Sequence, residues 1–518
     1  MHATKSSKTS PISEPARAPV RRSAFVLAAV MLWLPALSAG AVFWFLKQGQ
    51  LLWYGDATAH LNMARSIIDS RTPGLDQLGT SWLPLPHLLM VPLVKDNHLW
   101  QSGLAGAIPS AICFVLAGAL LFCSGRRLFA SDAAGVAAVS LFALNPNMLY
   151  LQAIPMTESM WFCALAGVLY CTVRFGDRPS IIWAALAGVA ALAATQIRYD
   201  GWFIVPLVYV YLLVRGGLGS ALVFGAIAII GPISWLAHNW WYTGDALAFY
   251  HGPYSAKAIG ARGPHPGYGN WRVAFYYVSE AARLCAGTPL FWIGLAGTVI
   301  AFVKRAFWPV LLLLAPAVFY LWSMYASAAP IHMPHAWPFT YYNTRYGTAL
   351  MPLLALGGAA IVSILPNRFR ALAATAIVVA AIVPWAINHR PDDWAVWKES
   401  QVNSESRRAW TRLAAAFLRA EVKPHDSVFI GFGDQTGILQ QAGIPLRRTL
   451  YDGNNPHWLA ALARPDLFLR EDWAVAIAGD SVSRTMARAG ASYRLVKRIT
   501  VQGAPPIEIY QRQHSIPP

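Results

Sequence analysis

Eleven apolar segments dominate the chain, at about residues 24–46, 103–124, 133–152, 157–173, 181–197, 201–214, 218–237, 286–303, 307–327, 346–365 and 371–388. Most approach the roughly 20 residues that a helix needs to cross a bilayer. Backbone polar groups in hydrocarbon have no water to bond, so such segments satisfy them as helices. Of the 518 residues 56% are hydrophobic and 13% charged, whereas soluble domains carry about 25% charged residues. The expected fold is therefore an α-helical polytopic membrane protein with about eleven transmembrane helices.

The charges give these segments a direction. With the N-terminus inside, the cytoplasmic connections hold Arg126-Arg127, Arg174 with Arg178, Arg215, Lys304-Arg305, and Arg368 with Arg370. Each is basic, as the positive-inside rule requires for a cytoplasmic (inner) membrane. This accounts for most of the formal charge of +17. Lys and Arg lie between apolar runs and form no basic stripe, so no nucleic-acid partner is expected. The expected organisation is a cytoplasmic tail at 1–23, a membrane domain at 24–389 and an extracytoplasmic domain at 390–518. The first apolar segment reads as an uncleaved anchor. External loops fall at 47–101, 238–285 and 326–345, where most His and acidic residues of the membrane part gather. Past residue 390 the runs shorten into a helical pattern at 401–421 and strand-like Ser427–Gly431, Trp473–Ile477, Tyr493–Val496 and Ile507–Tyr510, a small α/β domain. The five cysteines lack C-x-x-C spacing and read as packing residues.

Chemistry is concentrated in a few stretches. Leu52-Trp-Tyr-Gly-Asp56-Ala-Thr-Ala-His60 follows the first apolar segment. Asp56 and His60 are four apart and share a face if the stretch is helical. Asp56 is then either a helix cap or a general base. Trp82-Leu-Pro-Leu-Pro-His87 opens an interfacial segment. In Asn145–Glu158, two prolines break a helical hairpin before Glu158, an acid at a membrane helix N-terminus. Arg198-Tyr-Asp200-Gly201 is a tight external turn, in which Arg198 either neutralises Asp200 or faces a phosphate. Arg345 stands where the last external loop re-enters the membrane, as an anchor or a second phosphate ligand. The 238–285 loop is rich in aromatics, including Tyr254, suited to a membrane belt or to sugar stacking. His332 and His335 lie among prolines that oppose a helix and a metal pair. Walker A, dinucleotide, G-x-S-x-G and H-E-x-x-H motifs are absent.

An acid soon after the first span, Asp56, and a second in a Pro-x-x-Glu setting before the fourth, Glu158, make the chain resemble the GT-C glycosyltransferases. That group includes protein O-mannosyltransferases and the lipid A aminoarabinose transferase. Where the former often carry Asp-Glu, Ala57 follows Asp56 here. The resemblance implies an inverting hexosyl- or pentosyltransferase using a polyprenyl-phosphate-linked sugar among membrane lipids, with a glycan, lipid or protein acceptor. It implies catalytic roles for Asp56 and Glu158 and donor-phosphate binding by Arg198 and Arg345. His60, Asp200, His87 and Tyr254 are expected to support the site or contact the acceptor. A divalent metal on Asp56, His60 and Glu158 is left open. The competing reading is a transporter or flippase for a lipid-linked sugar. Transporters place their polar groups at the bilayer midplane, whereas here they gather at one face.

Overall fold

The computed structural model describes residues 20–513, apart from 254, 261–262, 388–392 and 434. Every one of the eleven apolar segments is built mainly of helix. Seven described helices are long and apolar enough to cross a membrane, or nine if each of two bent pairs is one span. The difference from eleven lies in two places. Ile181–Ile197 is apolar but has only 17 residues. Asp200–Thr243 counts as one stretch of 44 residues. Run straight at about 1.5 Å per residue, it would be about twice the ~30 Å hydrocarbon thickness. It does not run straight, because Gly217 leaves the helical path at φ 77°, ψ −179°. Trp235 Nε1 then donates to Tyr199 Oη at 3.0 Å, joining residues equidistant from Gly217. The stretch is a hairpin with both ends on one side.

The two bent pairs have local causes. Asp132–Ala143 and Pro146–Gln152 meet at 68°. Pro146 cannot continue the ladder, and Asn145 Oδ1 caps the second helix by accepting from the amides of Asn147 and Met148. Asn145 and Asn147 both donate to the carbonyl of Cys285, so this broken backbone is enclosed in protein. Trp271–Ala286 and Thr288–Val303 meet at 113° around Gly287, whose φ is +83°. Much of the expected 238–285 loop is therefore helix.

The C-terminal sheet consists of β1 Val428–Ile430, β2 Thr449–Leu450, β3 Trp473–Ile477, β4 Tyr493–Ile499 and β5 Ile507–Arg512. Its order is β2-β1-β3-β5-β4. β1 runs parallel to β2 and β3, while β5 is antiparallel to β3 and β4. Four strands coincide with the sequence reading; β2, two residues long, is too short to show alternation. One apolar core runs from Leu34 and Phe114 in the membrane helices through Trp410 and Leu418 to Val428 and Ile509 in the sheet. The Ala395–Glu421 helix joins the two parts and starts six residues before the predicted 401–421 pattern.

Candidate active site

The ends of several helices meet here, and each brings a charge. Asp56 lies in the first turn of Gly55–Ser66. Glu158 and Asp200 are the first residues of their helices, and Arg198 ends the one between them. Arg345 sits in the 3₁₀ turn Thr344–Leu350. Glu399 is in the second turn of Ala395–Glu421. The N-cap alternative for Asp56 is corrected by the structure: the cap is Tyr54, and Asp56 is free to pair elsewhere.

Arg345 is the hub. Its Nη2 donates to Asp56 Oδ2 at 2.6 Å and its Nη1 to Glu399 Oε1 at 2.9 Å. Its backbone N–H donates to Glu399 Oε2 at 3.1 Å, and Nε lies 3.4 Å from Glu158 Oε1. Arg198 approaches the same Glu158 oxygen at 3.1 Å through Nη1 and lies 3.5 Å from Asp200 through Nε. It also donates to Thr157 Oγ1 and Tyr320 Oη. The two guanidiniums lie over the Tyr346 ring, which stacks on Tyr320, and Arg345 also lies over Tyr54. Buried charges are tolerated only when paired in this way. The predicted Asp56, Glu158, Arg198 and Arg345 thus form one network, with Asp200 at its edge.

Exposure distinguishes the acids. The Glu158 and Glu399 side chains are 4% and 1% exposed, while that of Asp56 is 42% exposed. Burial pushes the Glu399 carboxyl up from its usual range, against the pull of Arg345. Beside Glu158, a cavity of about 10 Å³ is lined by Trp161, Phe162, Arg198, Tyr320, Tyr346, Thr348 and Ala349, room for about one water.

The remaining predicted residues fall differently. His60 Nδ1 lies 2.8 Å from His87 Nε2, and its ring packs on Trp82. Burial, with Arg345 and Arg198 nearby, lowers His60 to about 3, so it is neutral near pH 7. His87 is fully buried and is held low by burial and by His60. Among the described residues no three His, Cys, Asp or Glu side chains form a metal-ligand group, so Asp56, His60 and Glu158 are not assembled as one. His332 and His335 part company, one to His265 and the other to Glu280. Tyr254 lies outside the described residues.

Sequence reasoning missed Glu399, Tyr54, Tyr320 and Tyr346. A signal for Glu399 existed. It falls at helical spacing among Val396, Ser400 and Ser404, all buried, and an acid on such a stripe needs a partner. The tyrosines carried no comparable sign among 20 in the chain.

Residues 99–241 match the family model described as dolichyl-phosphate-mannose-protein mannosyltransferase, a segment that includes Glu158, Arg198 and Asp200. No curated protein matches the chain. The fold is similar to the crystal structure of ArnT from Cupriavidus metallidurans bound to undecaprenyl phosphate, with a TM-score of 0.58 and 13% identity over 96% of this chain and 99% of that one. The same protein in its apo state gives a TM-score of 0.57 and 14% identity over 91% and 98%. The chain thus has a fold similar to that of ArnT, and within it residues 99–241 carry the pattern of the mannosyltransferase family model.

Proposed function

We propose that the chain is an inverting glycosyltransferase that moves a hexosyl or pentosyl unit from a polyprenyl-phosphate donor to an acceptor hydroxyl. The reaction takes place at the outer face of the cytoplasmic membrane. The N-terminal tail is cytoplasmic, residues 24–389 form the membrane domain, and residues 390–518 stand outside. The acceptor is a glycan, lipid or protein. The observation that carries this reading is the convergence of Asp56, Glu158, Arg198 and Arg345 in one network at helix ends. The undecaprenyl phosphate bound to the ArnT of similar fold supports the donor class. Basic residues of the opposite connections support the orientation: Arg215 donates to Gly176, while Lys304 and Arg370 both donate to Ser363.

The roles follow from chemistry. A phosphate ester is a good leaving group, so its departure needs cationic stabilisation more than acid catalysis. Arg345 and Arg198 supply permanently charged forks for the developing phosphate charge. Asp56, the partly exposed acid, accepts the proton of the acceptor hydroxyl. The hydroxyl oxygen bonds to the anomeric carbon as the carbon–phosphate-oxygen bond breaks. The electron pair leaves with the polyprenyl phosphate, and one displacement inverts the centre. Glu158 bridges both arginines and sets their spacing.

The full-length protein in lipid, given labelled polyprenyl-phosphate hexoses and pentoses with membrane-derived acceptors, is expected to transfer label with inversion. Asp56→Asn is expected to lose about 100-fold or more in rate, within the range of general-base catalysis. Full activity in both Asp56→Asn and Glu158→Gln would sink the assignment. Movement of lipid-linked sugar across vesicles without transfer would favour a flippase instead.

A further inference from the structure

The site as it stands has a charge problem. Four carboxylates (Asp56, Glu158, Asp200 and Glu399) face two guanidiniums. A donor phosphate brings another negative charge, so it has to replace a carboxylate on an arginine and cannot simply join the group. The base has a matching problem, because Arg345 Nη2 occupies Asp56 Oδ2 at 2.6 Å, where an acceptor hydroxyl would have to bond.

One exchange resolves both. Of the three acids on Arg345, only Asp56 is reachable, with 42% of its side chain exposed against 4% for Glu158 and 1% for Glu399. A phosphate arriving at the exposed side meets the Nη2 that Asp56 occupies. Glu399 holds Arg345 at two other points, Nη1 and the backbone N–H. It is itself held, because the start of its helix is pinned to the membrane body. Tyr54 Oη donates to the Val396 carbonyl, the Val396 amide donates to Asn147 Oδ1, and Tyr150 bonds Ser400.

We propose that the Asp56–Arg345 pair is a donor-operated latch and that Glu399 is the positioning residue that makes it work. The donor phosphate displaces Asp56 from Arg345, which frees the base only when the donor is in place. Glu399 keeps the guanidinium in position throughout the exchange. Binding is ordered, donor before acceptor. No bond to carbon changes in this step; one ion pair is traded for another. The proposal rests on the glycosyltransferase reading, since it takes the arginines to bind the donor phosphate.

The test measures binding of a polyprenyl phosphate without sugar to the full chain in lipid nanodiscs, for wild type, Asp56→Asn and Glu399→Gln. Each variant removes one negative charge from the same guanidinium, yet opposite effects are expected. Asp56→Asn removes the competitor and is expected to tighten binding by about two- to fivefold, the scale of a partly exposed ion pair, while transfer is lost. Glu399→Gln can no longer satisfy both donors and is expected to weaken binding by about tenfold, the scale of a hydrogen bond to a charged group. Melting of each variant is followed in parallel. Tightening in both variants, as for a purely electrostatic effect, overturns the proposal, and so does weakening in both, as for general damage. If Glu399→Gln does not fold, the Asp56→Asn arm decides alone, and unchanged or weaker binding there overturns the latch. Failure of the wild type to bind the lipid phosphate refutes the glycosyltransferase reading itself.

Discussion

Arg345 meets three carboxylates and two aromatic rings with one delocalised charge, and its planar fork allows this. A lysine ammonium is a compact point charge on a flexible stem and cannot bridge Asp56 and Glu399 at once. Arg345→Lys is therefore expected to cost about 100-fold in kcat/KM, the scale of removing one preorganised donor; loss of under threefold would show that the fork is dispensable. His60 illustrates a different constraint. Its folded pKa, about 3, lies below the ordinary histidine value of 6.5. Above pH 6.5 it is neutral in both folded and unfolded chains. Between 6.5 and 3 the unfolded chain binds a proton that the folded chain refuses, so stability is lost as pH falls. The melting temperature of wild type is accordingly expected to drop more steeply from pH 7 to 4.5 than that of His60→Gln. Parallel curves would show that His60 does not titrate this way.

At the scale of elements, Thr288–Val303 and Met351–Ile364 pack backbone on backbone. A Cβ on Gly297 would lie 1.9 Å from the Gly357 carbonyl oxygen, and one on Gly357 would lie 2.1 Å from that of Gly294. Small residues permit such close approach between membrane helices. The second helix continues directly from the turn that carries Arg345. Gly297→Ala is expected to lower stability by about 1–3 kcal/mol, as overpacking does, and to reduce activity with it. Gly40→Ala, with nothing within 4 Å of the new carbon, is the matched control and is expected to melt no lower than wild type. Most elements are legible in the sequence, because long apolar runs and period-two strands are local signals. Asp56, Glu158, Arg198 and Arg345 were legible for a related reason, since charges at the ends of apolar segments are few and costly. The Gly217 reversal is legible as the break between the two segments 201–214 and 218–237. Glu399 was not legible. Its partner Arg345 lies 54 residues earlier in another element, and spacing within a helix says nothing about what faces it across a tertiary contact. The helical pattern legible in the sequence also begins only at residue 401, just past it.

At the scale of the whole molecule, the C-terminal part is built into the membrane body. Trp397 donates to Gln50, Gln440 to the Trp100 carbonyl, and Arg71 pairs with Glu471. Tyr451 Oη bonds both Ser70 and Gln77 in a buried polar network. Such a joint, continuous with a shared apolar core, makes cooperative unfolding the expectation. Tyr451→Phe removes the hydrogen bond to the buried Gln77 Oε1, at about 1–3 kcal/mol. It is expected to lower the temperature of sheet unfolding and that of activity loss together; loss of the sheet signal with activity retained would show that the two parts are independent. The same joint delivers Glu399 to Arg345, so the C-terminal part helps to shape the site. The most direct measurement of the whole account is a structure of the full chain in lipid with a polyprenyl phosphate bound. The phosphate is expected at hydrogen-bond distance from Arg345, within reach of Arg198, with Asp56 released and Glu399 still in place. A phosphate seated away from both arginines, with the Asp56–Arg345 pair intact, would contradict it.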